Sequence, residues 1–359
     1  MSKPIELYAN ALRGLGRVTA RELKHLFGGD LQSRQAGHTR NVDIIQFKYD
    51  GPHESLLQIG TTEDVFALIC ELDLSGDREK DLLAIAELSR QKSLTRVVEY
   101  AKLFRGRPSK RIRFRAVVQA SDADWRLYRR NEMQASLVEA INMAYPKWKP
   151  VDDEADFEFW LQQTDRAATI GVRLSDATMR HRTYKMEHMP GSLRPTVARA
   201  MAFLGRPQDN DVIVDPVCGL GTTLIERALA GRCKMLLGGD GDYDVSESAM
   251  VNFGRKHRPR LICHWDAERL PIADESVHVV LANLPWGHRI AADIGPHYAG
   301  VLREAERILK SQGRAVFLTD QSRALVACLS YSEQLFELER ITDVSVLGRE
   351  ADIFVVQKI

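Results

Sequence analysis

Hydrophobic and polar positions follow different patterns in the two halves of the chain. In the N-terminal half, short strands with a period of two alternate with segments of helical periodicity. The strands are predicted at 6–11, 42–49, 65–72, 112–119, 156–162 and 167–174, and the helices at 18–27, 53–59, 81–100 and 130–145. This succession of elements is typical of an α+β module.

The C-terminal half contains short, continuous apolar strands that are separated by helical segments. These strands are predicted at 212–214, 234–239, 261–264, 277–282 and 314–318, followed by a final pair near 336–346 and 353–357. A strand that is apolar on both sides is buried on both sides. The pattern therefore predicts an α/β fold with a parallel sheet that is covered by helices on both faces.

Composition places the chain among ordinary globular proteins. It has 359 residues, of which 44% are hydrophobic and 28% are charged, enough for about two or three cores. It lacks both an apolar run of about eighteen residues and an N-terminal signal pattern, so we expect a cytoplasmic protein without a membrane segment. The five cysteines are dispersed and form no CxxC pair, which argues against a disulfide framework or a metal site.

The net charge is +1, but one segment concentrates positive charge. Seven cations and no acid occur within fourteen residues: Lys102, Arg105, Arg107, Lys110, Arg111, Arg113 and Arg115. At the start of the predicted strand 112–119, alternation directs Arg111, Arg113 and Arg115 to one face and directs Ile112 and Phe114 into a core. The cluster is either a solvated face or a surface for an anionic partner.

A glycine-containing loop, Asp215–Glu226, follows the strand predicted at 212–214. Gly219 and Gly221 allow a tight turn and a close approach to a ligand, and the N-terminus of the next helix offers N–H donors. Leu224 stands where a dinucleotide-binding fingerprint requires a third glycine. This favours a ligand without a pyrophosphate, although a glycine turn that serves only packing is an alternative.

Acidic residues follow the next two strands. Asp240 lies about twenty residues beyond the glycine loop, where a carboxylate can accept hydrogen bonds from ribose hydroxyls. Asp242 is more typical of a helix cap. Asp266 could accept a hydrogen bond from an adenine amino group, but a turn or cap role is the alternative.

The segment Asn283–Gly287 follows the apolar strand predicted at 277–282. An amide, a rigid turn and a large aromatic residue at the carboxyl edge of a sheet serve no need of core packing. The Asn283 side chain and the Leu284 backbone can accept hydrogen bonds from an exocyclic amino group, and Trp286 offers a face for an extruded base. A loop with a surface tryptophan is the structural alternative.

In this order and spacing, the four segments resemble the class I S-adenosylmethionine-dependent methyltransferases. Asn283-Leu284-Pro285-Trp286 is similar to the (Asn/Asp)-Pro-Pro-(Tyr/Phe/Trp) signature of amino-group methylases. Leu284 replaces the first proline, but only a backbone carbonyl is required at that position.

A narrower resemblance is to the THUMP-containing guanine-N2 RNA methyltransferases. It is carried by Pro190–Ala198, which in that family helps to close the cofactor pocket, and by Asp215–Glu226. Leu12–Gly16 with Glu22-Leu23 is similar to the opening pattern of the family, although Gly16 replaces the usual acid. The segment 111–184 resembles a THUMP domain.

The resemblance implies a fold and a domain organisation. A Rossmann-like class I methyltransferase domain with a mostly parallel seven-stranded sheet is expected at 191–359. It is expected to follow a ferredoxin-like α+β domain at 1–75, a THUMP-like RNA-binding domain at 76–178 and a linker at 179–190.

The resemblance also implies roles for single residues. Asp215 would lie near the amino group of S-adenosylmethionine, Asp240 would bind the ribose, and Asp266 with the Ala267 backbone would recognise the adenine. Asn283 and Trp286 would hold the target guanine. The implied cofactor contacts are Thr196, Asp215, Cys218, Gly219, Gly221, Thr222, Asp240, Asp266, Ala267 and Asn283, and the implied catalytic segment is Asn283, Leu284, Pro285 and Trp286.

The implied function is methyl transfer to the N2 amino group of guanosine in tRNA or, alternatively, ribosomal RNA, with the cation cluster binding RNA phosphates. Other amino-group methylases, acting on DNA adenine or protein glutamine, use the same fourth segment. A non-catalytic RNA-binding adaptor is a further alternative, and Leu224 disfavours a nicotinamide oxidoreductase. A monomer is compatible with the sequence, which leaves the oligomeric state open.

Overall fold

The computed structural model describes residues 4–105, 111–120, 124–287, 294–332, 334–346 and 348–359. The chain divides into two compact units, one formed by Met1–Gly16 and Leu23–Met179 and the other by Arg17–Glu22 and Arg180–Ile359. Within the described ranges, no helix combines the length and the apolar character needed to cross a membrane.

The first unit is built around one mixed, mainly antiparallel sheet. Its strands are β1 (Ile5–Leu12), β2 (Ser33–His38), β3 (Val42–Tyr49), β4 (Thr62–Asp73), β5 (Arg113–Gln119), β6 (Lys149–Pro150), β7 (Phe157–Thr164) and β8 (Ala167–Arg173), in the order β2-β3-β1-β4-β8-β7-β5-β6. Its helices are α1 (Gly16–Phe27, shared with the other unit), α2 (Arg78–Ala86), α3 (Lys92–Ala101) and α4 (Arg130–Ala144), with 3-10 turns at His53–Gln58, Glu87–Arg90 and Lys102–Phe104.

Both predicted N-terminal domains contribute strands to this sheet. β4, from the segment 1–75, pairs with β8, from the segment 76–178, in an antiparallel register that places Phe66 opposite Arg173. The predicted boundary after residue 75 therefore falls inside one compact unit. Periodicity does not reveal this because it reports which face of a strand is buried, not which strand lies beside it. The ferredoxin-like and THUMP-like assignments stay predictions.

Several elements of the first unit differ from the sequence prediction, including the helix predicted at 53–59, which is the 3-10 turn His53–Gln58, and the strand β6, which was not predicted. β2 is absent from the predicted strands because Ala36 is its one apolar side chain and no alternation marks it. The helix predicted at 81–100 is divided into α2 and α3, because Gln91 takes an extended backbone with ψ of 127°. By contrast, β3 coincides with the predicted strand 42–49.

The second unit forms a seven-stranded sheet with helices. Its strands are β9 (Val212–Asp215), β10 (Met235–Asp240), β11 (Arg260–His264), β12 (Val277–Asn283), β13 (Leu309–Thr319), β14 (Phe336–Val346) and β15 (Arg349–Lys358). Its helices are α6 (Pro195–Leu204), α7 (Thr222–Leu229), α8 (Tyr243–Phe253), α9 (Gly295–Ile308) and α10 (Ser322–Ser330), preceded by the short α5 (Thr178–His181).

The strand order β11-β10-β9-β12-β13-β15-β14 creates a reversal beside β9. β9, β10, β11, β12 and β13 pair in parallel, whereas β15 is antiparallel to both β13 and β14. The sheet is therefore mixed. From β9 the chain proceeds outward to β10 and β11, and then returns to β12 on the other side of β9. The carboxyl edge of an open α/β sheet at such a reversal is the usual position of a ligand.

The continuous apolar runs in the sequence of the second unit reflect burial of the central strands on both faces, as predicted. Ile213 and Val214 in β9, and Val280 and Leu281 in β12, point to opposite faces and are all fully buried. Both faces of the central strands are therefore covered, and this explains why these strands show no alternation in sequence.

The segment predicted as a linker, 179–190, is bonded to the second unit. The backbone N–H groups of Met186 and Glu187 both donate to Asn252 Oδ1 at 2.8 Å. Polar side chains of the segment also bind the second unit, since Arg182 and Tyr184 both donate to Glu226 Oε1. The longer segment of the second unit, Arg180–Ile359, accordingly includes most of the segment predicted as a linker.

Candidate active site

A cavity of about 680 Å³ lies at the carboxyl ends of the parallel strands of the second unit. Residues that follow β9, β10, β11 and β12 line it, at the edge where an open α/β sheet binds ligands. Most of the site residues predicted from sequence share this cavity: Asp215, Cys218, Gly219, Thr222, Asp240, Asp266, Ala267, Asn283, Leu284, Pro285 and Trp286. The fold thus brings together four motifs that are distant in sequence.

Two predicted cofactor contacts do not line the cavity. Thr196 is fully buried in α6. Gly221 precedes α7 with φ of +76°, and a Cβ at this position would lie 2.6 Å from the Phe253 ring. Gly219 also has a positive φ, +50°, but nothing lies within 4 Å of its Cβ position. Gly219 therefore leaves open space at the cavity, whereas Gly221 allows close packing.

Asp215 ends β9 and is 1% exposed. Its carboxylate accepts hydrogen bonds from the Thr223 hydroxyl and from the Val217 N–H, the latter at 3.1 Å. Burial, together with the charge of Asp240, raises the pKa of Asp215 to about 7. Within the described ranges no cationic side chain forms an ion pair with it, so the ionised carboxylate lacks a counter-charge.

Asp240 ends β10 and is fixed against the glycine loop. Its Oδ2 accepts a hydrogen bond from the Gly219 N–H at 3.0 Å, and its Oδ1 accepts one from the Asp242 N–H at 3.2 Å. The Asp242 side chain instead caps α8 by accepting from the Asp244 N–H at 2.9 Å. The prediction that Asp242 is a helix cap is confirmed.

Asp266 occupies a turn that also borders the cavity. Its Oδ1 accepts a hydrogen bond from the Glu268 N–H at 2.9 Å, which is the local role that the sequence left open. The neighbouring Trp265 donates its indole N–H to the Pro216 carbonyl at 2.9 Å. Gly239 makes room for this indole, because a Cβ there would lie 2.5 Å from the ring. Trp265 therefore joins the loops that follow β9 and β11.

The fourth motif continues directly from β12, which ends at Asn283. Asn283 Oδ1 accepts a hydrogen bond from the Trp286 indole N–H at 3.1 Å, so the two side chains restrain each other. Leu284 is 1% exposed, and its N–H donates to the Leu318 carbonyl at 3.0 Å. A carbonyl oxygen has two lone pairs, so Asn283 retains the capacity to accept a second hydrogen bond.

Two residues without a sequence signal anchor this motif. The Tyr298 hydroxyl donates to the Pro285 carbonyl at 2.7 Å and lies 2.7 Å from the Thr319 hydroxyl. Burial raises the pKa of Tyr298 to about 12, so it is a protonated donor at neutral pH. Asp320 Oδ1 accepts from the Gly287 N–H at 3.1 Å. A helical aromatic residue and an acid after a strand are both common structural features, so neither stood out in the sequence.

His297 also lines the cavity and was not predicted. Its Nδ1 lies 2.7 Å from Glu268 Oε1. Gly300 accommodates this glutamate, because a Cβ at Gly300 would lie 2.5 Å from the Glu268 carboxylate. The pair joins α9 to the loop after β11, a contact that a lone histidine in sequence does not indicate.

Residues 186–193, which we call the strap, form part of the cavity wall. The lining residues are Met189, Gly191, Ser192 and Leu193. Lys185 donates its ammonium group to the Ser192 hydroxyl at 2.8 Å. Asn252, which accepts the strap N–H groups, also donates to the Leu220 carbonyl at 3.2 Å. One amide therefore connects the strap with the glycine loop.

The cation cluster predicted to bind RNA belongs to the first unit, and part of it supports the fold. Arg107 and Lys110 fall outside the described residues. Arg105 is partly buried and donates to the Arg173 carbonyl at 2.8 Å, and burial lowers its pKa. Arg105 thus contributes to the structure of its own unit.

Other members of the cluster lie at the surface beside acids from outside it. Lys102 forms an ion pair with Glu99 at 2.6 Å, and Arg113 forms one with Glu154 at 3.5 Å. Arg113 and Arg115 of β5 are partly exposed while Phe114 is fully buried, so the predicted alternation is observed within β5. Ile112, which was predicted to enter the core, precedes β5 and is only partly buried. Exposed ion pairs contribute about 0–1 kcal/mol each, so they hold these cations only weakly.

Sequence comparison relates the chain to known methyltransferases. Residues 182–346 match the profile of UPF0020, described as an RMKL-like methyltransferase domain. The tRNA (guanine(6)-N(2))-methyltransferase THUMP3 of Bos taurus is 28% identical over 230 residues, 60% of this chain and 45% of that protein. The tRNA (guanine(10)-N2)-dimethyltransferase of Methanocaldococcus jannaschii is 40% identical over 136 residues, 36% of this chain and 38% of that one. The matches span less than half the length of these relatives.

Solved structures share the fold of the whole chain. TrmN from Thermus thermophilus aligns with a TM-score of 0.77 at 23% identity, over 99% of this chain and 100% of that one. A possible methylase from Clostridium difficile 630 aligns with a TM-score of 0.71 at 18% identity, over 99% and 98%. At these identities the likeness establishes an α/β fold with mixed sheets.

Proposed function

We propose that the protein, whose residues 182–346 match the UPF0020 methyltransferase profile, transfers a methyl group from S-adenosylmethionine to the N2 amino group of a guanosine in tRNA. The observation that carries the proposal is the shared cavity, where the glycine loop and the acids Asp215, Asp240 and Asp266 lie with the Asn283–Trp286 segment. Methylation of an amino group on a planar base requires an amide and an aromatic face at such an edge, whereas core packing does not.

The acids of the cavity fit this cofactor. Its methionine part carries an ammonium group, which is the counter-charge that ionised Asp215 lacks. Each oxygen of Asp240 can accept a further hydrogen bond, as two ribose hydroxyls require. The open space at Gly219 leaves room for the ligand beside the loop. When bound, S-adenosylmethionine supplies a methyl group that its sulfonium sulfur has activated.

The residues of the fourth motif would orient the acceptor. Guanine N2 is a weak nucleophile because its lone pair is conjugated with the ring. Acceptors at the Asn283 side chain and the Leu284 backbone would align the amino group and stabilise its developing positive charge. Trp286 would stack on the extruded base, a contact worth about 1–3 kcal/mol. Tyr298 holds Pro285 and restrains this geometry.

The choice of tRNA guanosine is supported by the relatives and by surface charge. Both relatives described above are named as tRNA guanine N2-methyltransferases. In the first unit, the partly exposed arginines of β5 offer a surface for phosphates. Binding through such contacts weakens steeply as the salt concentration rises.

We expect Asn283→Ala to lower turnover at least about 100-fold, because an acceptor for the developing charge is lost, while cofactor binding persists. The measurements are transfer of labelled methyl groups to unmodified tRNA, nucleoside mass spectrometry for N2-methylguanosine, and calorimetric titration with S-adenosylhomocysteine.

Trp286→Phe is the matched control, because it keeps an aromatic face and removes the indole hydrogen bond to Asn283. It should retain measurable turnover. Wild-type turnover in Asn283→Ala, or a methylated product other than N2-methylguanosine, would contradict the proposal. Ribosomal RNA, DNA and a glutamine-containing protein serve as alternative substrates in the same assay.

A further inference from the structure

A second group of cations lies in the second unit, in the connection between α8 and β11. We call residues 254–260 the basic turn. The segment has no acidic residue and contains the basic side chains Arg255, Lys256, His257, Arg258 and Arg260.

One of these cations builds the turn itself. Arg260 donates guanidinium N–H groups to the carbonyl of His257 at 2.9 Å and to that of Gly254 at 2.6 Å. Its guanidinium carbon lies 5.2 Å from the centroid of the Phe253 ring, a cation–π contact. Arg260 therefore fixes the backbone from which the other cations project.

The other three cations of the basic turn are exposed. Arg255, Lys256 and Arg258 form no ion pair with any acid in the part of the chain that the structure describes. The cluster of the first unit differs, since Lys102 and Arg113 are each paired with a glutamate. The basic turn thus presents a net positive charge that no acid among the described residues offsets by an ion pair.

Neighbouring groups respond to this uncompensated charge. Burial lowers the pKa of His257, and the charges of Arg260 and Lys256 lower it further. Burial also lowers the pKa of Arg260, and Arg258 adds to the effect. Each cation therefore disfavours charge on its neighbours, and an anion bound at the turn would relieve this repulsion.

The basic turn is connected to two walls of the cavity. Asn252, just before the turn, donates to the Leu220 carbonyl of the glycine loop and accepts from the strap. Phe253 packs against the same loop. The rings of Tyr184 and His257 lie edge to face with centroids 6.1 Å apart. An anion at the basic turn would thus be bound beside Asn252 and Phe253, which contact the glycine loop.

We propose that the basic turn binds phosphodiester groups of the RNA substrate through Arg255, Lys256 and Arg258. This inference rests on the proposed function and adds an RNA contact on the second unit itself. Three exposed cations within four residues, on a backbone that Arg260 fixes, can contact successive phosphates. Such contacts supply affinity and position the RNA without reading its sequence.

The test is the full chain carrying Arg255→Ala, Lys256→Ala and Arg258→Ala together. At about 150 mM salt we expect the Kd and the KM for a tRNA transcript to rise about 10- to 100-fold. The slope of log affinity against log salt concentration should become shallower by about 2 to 3. The kcat at saturating RNA and the affinity for S-adenosylhomocysteine should stay unchanged, because none of the three residues lines the cavity.

A matched variant removes three charges elsewhere in the second unit, through Arg232→Ala, Lys234→Ala and Arg303→Ala, all exposed positions. It should bind tRNA as the wild type does. Unchanged Kd and salt slope in the basic-turn variant, or equal losses in both variants, would overturn the inference. Because tRNA binding is measured directly by fluorescence anisotropy, a wild type that binds tRNA without methylating it would refute the proposed function and still test the turn.

Discussion

At the scale of single residues, Asp215 couples folding to ligand binding. Its carboxyl has a pKa of about 7 in the folded chain because it is buried, whereas the ordinary value is 3.8. Because the pKa is higher in the folded chain than in the unfolded chain, protonation of Asp215 stabilises the folded state. This stabilisation is complete below pH 3.8 and is lost as the pH rises to about 7. Above that pH, the buried carboxylate needs a cation.

We expect affinity for S-adenosylhomocysteine to rise between about pH 6 and pH 8, as ionisation of Asp215 creates the charge that binds an ammonium group. Asp215→Asn should weaken binding about 10- to 100-fold, the value of a hydrogen bond to a charged group, and remove the pH dependence. Calorimetry at both pH values measures this. The variant should also melt at a higher temperature than the wild type at about pH 8. An identical pH dependence in both proteins would contradict the assignment.

Residue chemistry could be predicted from sequence where it depends on type and spacing. Asp240, Asn283 and Trp286 share one cavity because each lies at or just beyond the end of a parallel strand, and strand ends meet at one edge. Tyr298 and His297 could not be predicted, since their relevance comes from contacts with segments distant in sequence. Their spacing in α9 is that of any amphipathic helix.

At the scale of elements, α9 determines where the segment after β12 lies. We expect Tyr298→Phe to lower the free energy of unfolding by about 1–3 kcal/mol, since two hydrogen bonds are lost at about 0.5–1.5 kcal/mol each. It should lower kcat about tenfold, because the Asn283–Trp286 segment is less rigidly positioned once the Pro285 carbonyl has lost its hydrogen bond. Affinity for S-adenosylhomocysteine should not change. Urea denaturation, steady-state kinetics and calorimetry measure the three quantities.

Tyr331→Phe is the matched substitution for this test, because Tyr331 is 94% exposed. It should alter neither stability nor kcat. A wild-type kcat in Tyr298→Phe, with or without lost stability, would mean that α9 supports the fold and not the geometry of the motif.

Elements were predictable to different degrees for a physical reason. The parallel strands β9, β10, β11 and β12 of the second unit are short runs rich in apolar residues, and they begin and end within one residue of their predicted bounds. β2 could not be predicted because its stability comes from pairing with β3 and not from apolar side chains. The division of α2 from α3 depends on the backbone of Gln91, which periodicity does not report.

At the scale of the whole molecule, the continuous sheet of the first unit is the feature that sequence patterns missed. Its two halves meet where β4 pairs with β8. The hydrophobic pattern of each strand is compatible both with two separate sheets and with one continuous sheet. Pairing between strands that are about 100 residues apart is decided by tertiary packing, which local propensity does not encode.

We expect a chain that begins at residue 76 to aggregate, whereas the full chain stays dispersed under the same conditions. Removal of residues 1–75 deletes β1 to β4 and leaves β8 with an unpaired edge, which invites pairing with other chains. Size-exclusion chromatography with light scattering measures the outcome. A monodisperse, folded product would show that the segment 76–178 is an independent domain after all.

The pairing of β4 with β8 has a consequence for descent as well. A genetic crossover near codon 75 would join strands that had never been selected as neighbours, so hybrid chains would carry mismatched hydrogen-bonding edges and side-chain layers. We therefore expect the first unit to be inherited intact, and substitutions in the segments 1–75 and 76–178 to be correlated. Exchange between lineages would be tolerated only at junctions that keep all eight strands together.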